Sequence, residues 1–347
     1  MFNKKKFKVP LDKFIDQALY HPQNGYYMKT IPFGKEGDFI TAPNISVIFS
    51  EMIFLWTISF WKKFYNNKKI NIIELGAGNA EMMNQFINSA KKFEYFFENC
   101  NFVIYEKSKK LINLQKIKLK KHKVQWINNF NDVENNPTIF LGNEFLDAMP
   151  VKQFIKVNDS WYERYVQKKD KNYNFINIKY DISKLERKLN LKISKRHKFL
   201  EISFEEISII KKMNRFISKK GGCIFLIDYA YLSHEMFDTL QAVKKHKKVN
   251  LFKSVGNTDI THLINIPFLK KISKKINLEL AFNTQRKFLL NLGILKRAEI
   301  IAEKKSFLEK ANIFYRINRL IDKKQMGELF KVIYIHKRKN KFKLGFK

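Results

Sequence analysis

Cysteine is nearly absent. The 347 residues hold two, Cys100 and Cys223, in unrelated segments. That excludes a disulfide framework and any zinc-ligand spacing, and it fits a reducing, cytoplasmic setting. Long apolar runs are missing as well. The most apolar stretch, Ile45 to Trp61, is interrupted by Ser46, Ser50, Glu51, Thr57 and Ser59, whereas a membrane span needs about 20 residues with almost no polar break. It reads as a buried helix, and membrane insertion is not expected. The opening Met1-Phe2-Asn3-Lys4-Lys5-Lys6 is basic but leads to no apolar region of the kind a secretory signal carries. Negative charge is scarce: 32 Asp and Glu stand against 67 Lys and Arg, a net +35. A concentrated basic patch would imply nucleic acid or an anionic membrane. Here the lysines are spread over every segment and rise together with Asn, Ile and Phe, as in proteins encoded by AT-rich genomes. No aromatic–basic platform of the kind single-strand binders use accompanies them, so a specific nucleic acid is not an expected partner.

What is present is a globular composition, 45% hydrophobic, with a change of pattern along the chain. Up to Trp61 the sequence predicts helices, one from Leu11 on the spacing of Leu11, Phe14, Ile15, Ala18 and Leu19, and one over 45–64. From Ile70 onward, short β runs alternate with helical segments: strands at 70–75, 101–105, 124–127, 138–142 and 223–228, with helices between. That alternation predicts a parallel sheet covered on both faces. A β-rich insertion at about 151–200 interrupts it, with Asn158-Asp159-Ser160 as a hairpin signal. Further on, 239–256 reads as a basic loop, 258–274 as a helix broken by Pro267, 287–292 and 297–321 as helices, and 328–336 as a strand.

Three constellations could carry chemistry. In Glu74-Leu75-Gly76-Ala77-Gly78 a buried strand runs into a glycine turn and then a helix. Such a turn lets backbone N–H groups approach a ligand. With S-adenosylmethionine (SAM) it would cradle the amino-acid end, and Glu74 would meet the ammonium. The plainer alternative is an ordinary strand–helix turn. Glu106, about 30 residues on at the next strand end, could accept both hydroxyls of a ribose; otherwise it is a solvated acid. In Gly142-Asn143-Glu144-Phe145-Leu146-Asp147-Ala148-Met149-Pro150, three acceptors follow the fourth strand, where open α/β sheets bind ligands. The competing reading is a helix start capped by Asn143, with Glu144 in its first turn. Trp126 ends the third predicted strand, where either an adenine or the core would lie beside it.

Together these segments resemble the MidA-like family of SAM-dependent methyltransferases, the family of the mitochondrial complex I assembly arginine methyltransferase. The resemblance is carried in order by Leu19-Tyr20-His21-Pro22, Gly25-Tyr26-Tyr27, Gly37-Asp38-Phe39, Thr41-Ala42-Pro43, Ile45-Ser46, the glycine turn, Asn143 to Pro150, Ile227-Asp228-Tyr229, Thr239-Leu240-Gln241, Asp259 with Thr261, and Met326 to Phe330. Asn44 stands where the family usually has Glu, and Ala80 and Ala230 stand where it usually has Gly. In Asp259-Ile260-Thr261-His262-Leu263-Ile264-Asn265-Ile266 the family's histidine is displaced.

The resemblance implies a class I, Rossmann-like fold: a seven-stranded, mostly parallel sheet with an N-terminal helical extension and an inserted β-hairpin. Residues 1–66 would cover the active site and 67–347 form the methyltransferase domain. It implies SAM as cofactor and no metal, with Glu74, Gly76, Ala77, Gly78, Glu106 and Asn143 on the cofactor, and Gly37, Asp38, Thr41 and Pro43 on the substrate. The implied acceptor is a protein arginine of a respiratory complex I subunit, met by Glu144, Asp147 and Asn143. An RNA, glutamine or small-molecule acceptor, or a SAM-binding assembly factor without turnover, are the other classes.

Overall fold

The computed structural model describes residues 6–32, 40–170, 172–244 and 247–346. The chain divides into two compact units, each assembled from separate segments. One holds the described residues of Met1–Thr30 with Leu146–Ile209 and Tyr231–Phe268; the other holds those of Ile31–Phe145, Ile210–Ala230 and Leu269–Lys347.

The second unit is built on one large sheet. Its strands are β1 (Ile70–Leu75), β2 (Cys100–Tyr105), β3 (Gln125–Ile127), β4 (Thr138–Asn143), β5 (Gly222–Tyr231), β6 (Glu279–Thr284) and β7 (Phe330–His336), in the order β6-β7-β5-β4-β1-β2-β3. From β5 to β3 all neighbours are parallel. β7 runs antiparallel to both β5 and β6. All six residues of β1 are buried, as expected of a central parallel strand covered on both faces. The chain leaves β1 toward β2 and β3, then returns to the other side of β1 with β4. The order therefore reverses between β1 and β4, and a crevice at their carboxyl ends is where such sheets take ligands.

Helix α1 (Val47–Tyr65) starts at Ser46, whose hydroxyl accepts the Ile48 N–H. It lays Trp56 into the core against Phe60 and Phe225, and the indole N–H is satisfied by the carbonyl of Leu344. Trp56 and Trp61 are thus core residues. Helices α2 (Glu81–Ala90) and α3 (Lys109–Lys118) follow β1 and β2.

In the first unit the insertion after Pro150 is more than a hairpin. Lys152–Val157 and Ser160–Lys169 pair across Asn158 and Asp159, both left-handed as a two-residue hairpin turn requires. Asn172–Lys179, Phe199–Ile202 and Lys6–Pro10 complete a five-stranded sheet. Two expectations are corrected in this unit. The basic stretch 239–256 contains the paired strands Gln241–Lys244 and Lys247–Val249, with Gln241–Lys244 also paired to Asp259–Thr261. Pro267 does not break a helix; it is the second residue of one, Ile266–Lys275, where its missing N–H costs nothing. In the second unit, the helix expected over 297–321 is two, Ile294–Ala302 and Phe307–Ile321. Among the described residues no helix is long and apolar enough to cross a membrane.

Candidate functional site

The register brings the sequence-predicted residues of the second unit to one edge. Leu75 pairs with Tyr105 and with Gly142, and Asn143 with Ile227. The glycine turn, Glu106 and the Glu144–Phe145 segment therefore follow the ends of β1, β2 and β4, and Asp228 lies in the carboxyl-terminal half of the adjacent β5. Between β1 and α2, Gly76, Gly78 and Ala80 all have left-handed backbone, with φ of 61°, 53° and 58°. Glycine meets that demand freely, while an alanine adopts it only under strain. The turn is fastened by the Gly76 N–H, which donates to the Tyr105 carbonyl at 3.0 Å.

Glu74 is 4% exposed, and its Oε2 has no hydrogen-bond partner. Burial pushes its carboxyl up to about 8; the Met83 amide opposes the shift and the charge of Glu106 adds to it. A buried, unsatisfied carboxylate oxygen beside a glycine turn suits a ligand cation, because an unpaired buried acceptor is otherwise costly. Glu106 is 8% exposed, which removes the reading of a solvated acid. Its Oε1 accepts the N–H groups of Lys107 and Ser108, both at 2.9 Å, and its Oε2 accepts Gln115 Nε2 at 3.1 Å. Burial raises its carboxyl, against the pull of these donors. A carboxylate so held in plane suits a vicinal diol.

No helix begins at Asn143, so the helix-cap reading is overturned. Glu144 is left-handed at φ 53°, and its N–H donates to the Ile227 carbonyl at 2.9 Å. Asp228 accepts the N–H groups of Phe145 and Tyr229 at 3.1 and 2.8 Å, which pins the segment to β5. Asn143 Nδ2 donates to Glu144 Oε1 at 2.8 Å, and Asn143 Oδ1 is a second buried oxygen without a partner.

Thr41 and Pro43 lie at a helical turn, Ala42–Ile45. Thr41 Oγ1 accepts Asn44 Nδ2 at 2.9 Å, and Asn44 Oδ1 in turn accepts Asn79 Nδ2 at 2.8 Å, so this segment is joined to the glycine turn. Gly37 and Asp38 lie outside the described residues. Asp147 belongs to the first unit, where it is 5% exposed and its carbonyl accepts the His262 N–H at 3.0 Å. In that unit Tyr27, stacked on Tyr20, donates to Asp259 at 2.7 Å. His21 caps its own turn, its Nδ1 accepting the N–H groups of Gln23 and Asn24.

Sequence reasoning gave no role to Gln115, Asp228 or the ring of Phe145. For Gln115 a signal existed. Leu111, Gln115 and Leu119 recur at four-residue spacing, which puts an amide on the buried face of α3.

A family model of S-adenosyl-L-methionine-dependent methyltransferases matches residues 52–283. The mitochondrial protein arginine methyltransferase NDUFAF7 of Xenopus laevis is 25% identical over 351 residues, covering 93% of this chain and 80% of that protein. Its homologue in Caenorhabditis elegans is 29% identical over 316 residues, covering 83% and 74%. A crystal structure from Burkholderia thailandensis, bound to S-adenosyl-homocysteine (SAH), has the same fold: TM-score 0.81 at 22% identity, covering 98% of this chain and 89% of that one. A family match over two thirds of the sequence, on a sheet whose strand order reverses beside a glycine turn, places the chain: it belongs to the family of S-adenosyl-L-methionine-dependent methyltransferases.

Proposed function

We propose that the chain methylates an arginine side chain of a protein, with a respiratory complex I subunit as the substrate in the course of assembly. The observation that carries this reading is the match, over 93% of the sequence, to relatives named as protein arginine methyltransferases. The carboxylate held directly after β4 supports it chemically.

In this reading Glu74 takes the ammonium of the cofactor, Gly76, Ala77 and Gly78 its amino-acid backbone, and Glu106 its ribose, with Asn143 Oδ1 also facing it. When bound, the cofactor supplies an electrophilic methyl group on a sulfonium. The residues of the chain supply orientation, which dominates the catalysis of an in-line transfer. A guanidinium is cationic and a poor nucleophile. A carboxylate would accept hydrogen bonds from two of the guanidinium nitrogens and keep the charge there, leaving the third to attack; Glu144 and Asp147 are the two candidates of the sequence motif for that role. The proton released from that nitrogen passes to a carboxylate. Thr41 and Pro43, with Gly37 and Asp38, are the proposed substrate contacts.

The test is incubation of the purified protein with methyl-labelled SAM and a lysate, followed by hydrolysis of whatever is labelled. One labelled protein band that yields methylarginine is the expected result. Label in RNA, in glutamine or in a small-molecule fraction would replace the arginine reading, and binding without any transfer would make the chain a SAM-binding assembly factor.

A further inference from the structure

Gln115 is the centre of a hydrogen-bond network that no sequence motif marks. It is 0% exposed on the inner face of α3, between the buried Leu111 and Leu119. Its Nε2 donates to the Gly78 carbonyl at 3.0 Å and to Glu106 Oε2 at 3.1 Å. Its Oε1 accepts the indole N–H of Trp126 at 3.0 Å. Both amide hydrogens are used, and the oxygen is satisfied. One side chain thus joins the last glycine of the turn, the acid after β2 and the aromatic ring of β3.

A polar side chain on an apolar helix face is costly unless every group it carries is paired. This one is paired entirely with groups around the proposed cofactor crevice. The effect on Glu106 is specific. Its Oε1 is fixed by two backbone N–H groups on its own loop, so Gln115 on Oε2 is what stops the carboxylate from turning. With Oε1 already accepting two N–H groups and Oε2 one, the acceptor site left on Oε2 then points in a set direction. Outer partners that orient a ligand-binding group in this way commonly decide its affinity.

We infer that Gln115 is a positioning residue for the cofactor: it holds the Glu106 carboxylate in the plane that receives the ribose hydroxyls and locks that acid to the glycine turn through the Gly78 carbonyl. The inference rests on Glu106 taking the ribose. Leucine or methionine would fill the same volume on α3 but leave Glu106 free to rotate. Lysine would reach Glu106 but offers no acceptor to Trp126.

The experiment measures, by calorimetry, the affinity for SAH and for an SAH analogue lacking both ribose hydroxyls, on the wild-type chain, Gln115→Met, Glu106→Ala and the double variant. Gln115→Met is expected to lose about tenfold or more for SAH, the scale of one lost buried hydrogen bond to a charged group, and far less for the analogue. In the Glu106→Ala background it should change SAH affinity no further, because the carboxylate through which it acts is gone. A support role for the fold alone would instead weaken both ligands alike and add to Glu106→Ala; that result overturns the proposal, as does wild-type SAH affinity in Gln115→Met. If Glu106→Ala itself binds SAH normally, the ribose reading fails and takes the inference with it. Should Gln115→Met not fold, Gln115→Glu keeps the size and the acceptor for Trp126 while removing the amide donors. At pH 8 it is expected to show the same selective loss, and equal loss for both ligands would again overturn the proposal.

Discussion

The ring of Phe145 lies against Gly76: a Cβ built on the glycine would stand 3.0 Å from the ring's Cδ2. From the sequence, a Cβ there is expected to collide with the cofactor; in the fold it meets Phe145 first. Gly76→Ala therefore acts in two ways. The left-handed φ of 61° costs a non-glycine residue about 1–2 kcal/mol, and the ring, with the segment carrying Asn143 and Glu144, must move. Stability should fall by about that amount and SAM affinity should fall with it. Adding Phe145→Ala should relieve the steric part and leave the backbone part. Denaturant melts and calorimetry on the single and double variants give the coupling. Additive losses would mean that the ring plays no part.

The Glu74 carboxyl, pushed up to about 8 by burial, makes cofactor binding depend on pH. In the free protein the group is largely protonated at pH 7, yet a ligand ammonium requires the carboxylate. SAM binding should release a proton, and affinity should climb from pH 6 toward 8. The stability of the free fold is expected to show the opposite trend. The folded value lies above the unfolded one, so between about 4.5 and 8 the native state holds the extra proton and stability falls as pH rises through that window. Glu74→Gln should flatten both slopes. Calorimetry in buffers of different ionisation heat measures the proton count directly, and zero protons released at pH 7 would rule out this role for Glu74.

Ser306 accounts for the break between the two helices where the sequence pattern predicts one. Its hydroxyl accepts the Glu309 N–H while the Glu309 carboxylate accepts the Ser306 N–H, a reciprocal cap at the start of Phe307–Ile321. Ser306→Ala should cost about 1 kcal/mol and leave SAM affinity unchanged. Urea titration of the variant checks this; an unchanged midpoint would mean the cap is redundant.

The strands that build the site were legible because each is an apolar run stopped by turn chemistry: Ile70–Leu75 before Gly76, Thr138–Asn143 before Glu144, Gly222–Tyr231 after Gly221. β6 gives no apolar run because Glu279–Thr284 lies at the sheet edge, where only Leu280 of its six residues is buried. The lysine-rich pair Gln241–Lys244 and Lys247–Val249 is hidden for a similar reason: Ala242 is the one buried residue of the two strands, so they show no apolar alternation. The pattern after β4 suggested a helix because Asn and Glu suit a helix start. The left-handed Glu144 and the Asp228 carboxylate on the Phe145 N–H decide otherwise, and a contact between positions 83 residues apart is invisible to local spacing. Ala80 keeps the left-handed backbone of the glycine expected there, so the turn survives a substitution that the sequence alone would count against it.

The most direct test of the account is Glu144→Gln, assayed for SAH affinity and for single-turnover methyl transfer to the protein that the wild-type chain labels. Glu144 follows β4, and its carboxylate is held by Asn143. If it serves the acceptor, the variant should bind SAH within about tenfold of wild type, or 1.4 kcal/mol, while transfer falls much further, because the lost contact acts on the acceptor and its transition state. Transfer at the wild-type rate in Glu144→Gln, with SAH affinity unchanged, would contradict the arginine mechanism.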